Sequence, residues 1–157
     1  MKIIKLSLSV VILVLMSACA APRYEGSAIQ FEKIGSVPEI VIIEDEATRS
    51  GFLDAIKEWL RKNNYKYIVK AGNSNNELEK ITIEYVGHWK WDLAIYLSKA
   101  KIEAFHNGQR VGEVNYNAPN SLNTNKFGNG AERIKYMLEV LFGKMSAHEA
   151  TLSIKSK

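Results

Sequence analysis

At 157 residues, the chain offers about one domain's worth of sequence, which excludes a multidomain machine. Its net charge of +4 comes from basic residues scattered among acids, a pattern that gives no argument for a nucleic-acid partner. It has one cysteine, so no disulfide can form within it.

Met1 to Lys5 is short and basic, Leu6 to Met16 is apolar apart from Ser7 and Ser9, and Ser17-Ala18 supplies small residues ahead of Cys19. That order describes a secretory signal over residues 1–18. The apolar run falls short of the roughly 20 residues that span a bilayer. Without this segment, 139 residues carry 19 basic and 17 acidic side chains. That length buries about two-thirds of its unfolded surface without a covalent staple.

Leu15-Met16-Ser17-Ala18-Cys19 resembles the lipobox of bacterial lipoproteins, with Met16 standing where Leu is usual. The resemblance implies that Cys19 is acylated through its thiolate and becomes the mature N-terminus. Two or more acyl chains make a durable anchor, at about 0.8 kcal/mol per buried methylene. Ala20 follows, where Asp would favour the inner membrane, so the expected location is the outer membrane, facing the periplasm. The membrane, reached through the lipid on Cys19, is the first expected partner.

Residues 19–37 read as a lipidated tether, rich in small residues, with a short edge strand at Ile29 to Ile34. The domain is expected over residues 38–145. Ile40 to Ile43 is continuously β-branched and predicts a strand covered on both faces. The acids Glu44-Asp45-Glu46 suit a helix N-terminus. Phe52, Leu53, Ile56, Trp59 and Leu60 then recur at helical spacing until Asn63-Asn64. Tyr65 to Val69 completes a strand–helix–strand unit, whose strands should be parallel with a right-handed crossover. Ala71 to Lys80 is a polar surface loop.

From Ile81 the period is two: Ile81, Ile83, Tyr85, Trp89, Trp91 and Leu93 share one parity, with Gly87 marking a bend or bulge. Tyr96 to Phe105 follows as a strand with Ala100, Ile102 and Ala104 inward. His106-Asn107-Gly108 turns it into Val111 to Tyr116. A two-residue Asn-Gly loop would set Ile102 opposite Glu113, a carboxylate on the apolar face. A three-residue loop pairs Ile102 with Gly112, Ala100 with Val114 and Lys101 with Glu113, and is preferred. Asn115 to Asn129 reads as a long loop. Asn129 caps a helix with the stripe Ile134, Met137, Leu138, Leu141, Phe142 and Met145. Residues 146–157 read as a loose tail. The expected class is α/β (α+β), in the order β-α-β-β-β-β-α, a mixed sheet with two helices on one face.

The run Trp91-Asp92, Tyr96-Leu97-Ser98 and Ala100, continuing through Asn107-Gly108, Tyr116, Leu122-Asn123, Lys126-Phe127 and Leu141-Phe142, resembles the Sbal-type family of small proteobacterial lipoproteins. The similarity covers roughly residues 40–143. It implies the lipobox and this hairpin core, and brings no established activity. Many members also carry a cysteine pair in the domain, which this chain lacks.

No G-x-S-x-G, Walker or dinucleotide glycine motif occurs, nor paired histidines at metal-binding spacing on a helix. His88 and Asp92 share a strand face but are spaced roughly 13 Å apart along it. The expectation is therefore a non-enzymatic binding or accessory module, with no cofactor, no metal and no nucleic acid. The alternative is a small periplasmic enzyme or ligand carrier acting on envelope material. Trp89, Asp92, Asn123 and Lys126 are the candidate residues for contacting an envelope protein or glycan. Trp89, Trp91 and Tyr96 are a candidate aromatic platform, although the parity of Trp91 with Ile81 and Ile83 predicts packing beneath a helix. Asp92, at a strand end, is expected to hold a backbone turn.

Overall fold

The computed structural model describes residues 23–35, 39–72, 74, 77–119 and 124–154. The expected signal segment, Cys19 and Asn123 lie outside the described residues. Six strands are present: β1 Tyr24–Ser27, β2 Ile40–Ile43, β3 Tyr67–Lys70, β4 Ile81–Asp92, β5 Ala94–His106 and β6 Gln109–Asn117. They form one mixed sheet in the spatial order β1-β6-β5-β4-β2-β3. The short helix α1 is Phe31–Ile34, followed by α2 Ser50–Lys62, α3 Gly130–Leu141 and α4 Ala147–Ser153. The expected β-α-β-β-β-β-α series is β2 to α3, with β1 and α1 added before it and α4 after.

The unbroken β-branched run of β2 lies between β3 and β4, parallel to both, with Ile40 opposite Tyr67 on one side and Ile81 on the other. All four of its residues are buried. The acids after it stop the strand but do not start the helix. Asp45 instead accepts hydrogen bonds from the Ala47 N–H at 3.0 Å and the Thr48 hydroxyl at 2.6 Å, and α2 begins at Ser50 without an acid in its first turn. At its other end, Asn64 takes a left-handed φ of 60°. The Tyr65 N–H then reaches the Leu60 carbonyl and the Asn64 N–H the Arg61 carbonyl, the paired bonds of a Schellman stop. Gly143 ends α3 the same way.

Both long helices belong to one hydrophobic core with the sheet face that carries Ile83, Tyr85, Ile102 and Val114. Phe52 stacks on Tyr85 at 4.8 Å, and the Trp59 indole N–H donates to Glu139 across the helix pair at 2.8 Å. The opposite sheet face carries Glu103 and Glu113 directly opposed, bridged by Arg110 and Lys101.

Three sequence expectations need correcting. The tether does not extend to residue 37. Tyr24 is buried and pairs with Tyr116, Ile29 is buried, and residues 31–34 form a helical turn rather than a strand. The tail is not loose over 147–153. Ser146 and Glu149 form a capping box, Ala150, Thr151 and Ile154 are buried, and the Thr151 hydroxyl oxygen accepts the N–H groups of Arg23 and Tyr24. The β5–β6 loop has two residues, not three. Asn107 and Gly108 have φ of 51° and 72°, and His106 pairs with Gln109, as in a type I′ turn. The foreseen clash with Glu113 is avoided by a bulge at Val111, which slips the register so that Ile102 faces Val114 and Ala104 faces Gly112.

Candidate functional site

The 12 residues of β4 and 13 of β5 extend over about 40 Å. The 13 residues of α2 cover about 20 Å. The hairpin therefore runs past the helices, and where their cover ends is marked by Trp89. Its half-buried indole lines a crevice with Arg49, Ser50 and Gly51 at the start of α2 and Gly130 and Ala131 at the start of α3. The ring meets Phe52 edge-on at 6.2 Å, with the Arg49 guanidinium 5.8 Å from its centre. Gly87 lies beneath both rings, and a Cβ there would fall within 3 Å of each.

A second bulge shapes this end. His88 pairs with Lys99 but Trp89 pairs with Leu97, leaving Ser98 as the extra residue. The Ser98 hydroxyl donates to the His88 carbonyl at 2.8 Å, so it is spent on the backbone. Leu97 is thereby turned into the core opposite Trp89. Beyond this point nothing among the described residues covers the same face. Trp91, paired with Ile95, is 74% exposed; Ile95 is 52% exposed, and Leu93 at the turn is 85% exposed. The parity read from sequence for Trp91 is right, but its predicted burial beneath a helix is not, because the strand outlasts the helices.

Asp92 and Lys126 meet. The Lys126 ammonium donates to the Asp92 carboxylate, so that carboxylate does not hold a backbone turn. Lys126 is buried, with its ammonium 4.8 Å from the Phe127 ring centre and 5.5 Å from that of Tyr96, and those two rings meet edge-on at 5.7 Å. A cation between two aromatic rings and a carboxylate is held from three sides. The 3-10 turn Thr124–Phe127 that delivers Lys126 is itself gripped from α3: the buried Arg133 donates to the Asn125 carbonyl at 3.2 Å, and its guanidinium lies directly over Gly128. Of the four candidate contact residues, Asp92 and Lys126 are thus brought together, Trp89 lies in the adjacent crevice, and Asn123 falls outside the described residues.

Leu93 and Ile95 were missed as site residues. The hairpin turns at Leu93 with φ of 62° and without the Gly, Asn or Pro that marks a turn in sequence. Arg49 and Phe127 were missed because only the folded chain brings them to the hairpin.

A second crevice opens at the carboxyl ends of β2 and β3, lined by Glu44, Asp45, Glu46 and Glu84. Both oxygens of Asp45 are occupied by Ala47 and Thr48, and Thr48 in turn accepts the Gly87 N–H at 2.9 Å. Among the described residues, no group of three or more His, Cys, Asp or Glu side chains is placed to hold a metal ion, and no helix is long and apolar enough to cross a membrane. Burial raises the Tyr24 and Tyr116 hydroxyls above the ordinary tyrosine value. Tyr24 donates to the Arg133 carbonyl at 3.3 Å.

No protein-family model, curated protein or solved structure matches this chain.

Proposed function

We propose that this chain is an outer-membrane lipoprotein, anchored through Cys19, whose periplasm-facing domain is a binding or accessory module for an envelope protein or glycan and runs no reaction of its own. The observation that carries this reading is the position of the sole cysteine. It follows a basic-then-apolar segment with small residues and lies four residues before Arg23, where the described domain begins. The resemblance to the Sbal-type lipoproteins supports it. Within the run that carries the resemblance, Trp91-Asp92, Tyr96 and Lys126-Phe127 meet at the hairpin end, while Leu97, Tyr116 and Leu141-Phe142 lie in the core.

The partner-facing surface in this reading is the Asp92–Lys126 pair with the neighbouring Trp89 crevice. A half-exposed carboxylate held rigidly beside aromatic rings suits recognition of polar groups on a protein or sugar. The membrane anchor is tested with Cys19→Ser in cells. The wild-type chain should resist a carbonate wash and take up labelled acyl chains, whereas the variant should be released and unlabelled. A variant that still resists the wash would overturn the anchor.

A further inference from the structure

Among the described residues, the sheet's core face runs out past the helices as an uncovered apolar end: Trp91 and Ile95 side by side, with Leu93 at the apex. Leu93 is also held in the left-handed region at φ 62°, which a γ-branched side chain adopts at a cost and which Gly or Asn would relieve. Strained backbone carrying an exposed apolar side chain is a feature of sites selected for contact rather than stability.

We infer that this hairpin end is a second membrane contact, inserting Trp91, Leu93 and Ile95 into the phospholipid interface beside the anchor; the inference rests on the lipid-anchored reading above. The geometry favours lipid as the occupant. β1 is antiparallel to β6 and β6 to β5, so Tyr24 is level with Tyr116 and Ala100, and the chain preceding Arg23 leaves the sheet at the hairpin's end. From Ala100 to Ala94 the hairpin projects roughly 20 Å beyond that level. Four residues from Cys19 to Arg23 reach at most about 14 Å. An anchor on so short a lead holds this end against the bilayer. A Trp with two aliphatic neighbours is the composition that settles at the headgroup boundary. The exposed Lys90 and Lys99 flank it on the two strands, and both long helices direct their positive N-termini toward this end.

The test uses full-length protein purified in detergent and reconstituted into phosphatidylethanolamine–phosphatidylglycerol vesicles with brominated acyl chains. Tryptophan emission should contain a blue-shifted component quenched by bromine, and Trp91→Phe should lose it. Leu93→Asn should also lose quenching while melting no lower than the wild type, since Asn tolerates the left-handed backbone; this separates insertion from folding. Absence of quenching at Trp91 in protein whose mass shows acylated Cys19 would overturn the inference while sparing the anchor. Crosslinks from position 91 to an envelope protein, with Trp91 unquenched, would reassign the surface to a protein partner. Quenching that persists in Cys19→Ser protein mixed with the same vesicles supports the hairpin contact independently of the anchor.

Discussion

The side chain of Lys126 is 2% exposed, while its partner Asp92 keeps 44%, so the two halves of this ion pair are not equivalent. Removing the carboxylate takes an ionic partner from a buried ammonium, whereas removing the ammonium leaves a carboxylate that water can reach. Asp92→Asn should therefore cost about 2–4 kcal/mol. Lys126→Met, which keeps the apolar stem packed between Tyr96 and Phe127, should cost about 1 kcal/mol after solvent screening of the exposed partner. Denaturant midpoints of the two variants decide it: equal losses, or the reverse order, would contradict the geometry. The pair could be nominated from sequence one residue at a time but not as a pair, because 34 positions separate Asp92 from Lys126 and the contact exists only once α3 draws the intervening turn onto β5.

At the scale of elements, the β5–β6 hairpin shows where pattern reading succeeds and where it stops. The alternation of Ala100, Ile102 and Ala104 against charged neighbours identified the buried face correctly, since burial of one face fixes parity. It could not fix the pairing, because parity counts residues modulo two and a bulge at Val111 changes the count locally. Asn107-Gly108 named a two-residue turn all along. Ala100→Asp should prevent folding, since a lone buried carboxylate costs several kcal/mol; a normal melting curve would mean the hairpin faces the other way. On the outer face, burial pushes the Glu103 carboxyl up. Hydrogen bonds from Lys101 and Arg110 outweigh it and hold the group below the ordinary glutamate value. Its depressed folded-state pKa means that the unfolded chain takes up the proton first. The stability it adds is present above the unfolded value and lost as pH falls through the folded one. Acid titration of the denaturation midpoint should accordingly fall less steeply in Glu103→Gln than in the wild type. The helix α4 escaped a reading based on apolar stripes because its seven residues bury little beyond Ala150 and Thr151. It is held by its capping box and by docking on β1, and a helix this short is stable only with tertiary support.

For the whole molecule, the decisive mismatch is one of length. Two strands of about 40 Å beside helices of about 20 Å leave part of a core face with nothing over it among the described residues, and β1 begins toward that same end of the sheet. Sequence alone indicated an anchor and a domain. The structure adds that β1 takes Tyr24–Ser27 into the sheet, so the domain begins closer to Cys19 than composition suggests. In the proposed anchored state the hairpin end would lie against lipid, leaving the Asp92–Lys126 pair beside it for an envelope partner.

The proposed location and role depend on lipid at one sulfur. The most direct measurement is mass spectrometry of the native chain purified from membranes. The N-terminal peptide should begin at Cys19 and carry the added mass of acyl chains, and a chain still beginning at Met1, or a bare Cys19 thiol, would contradict the account.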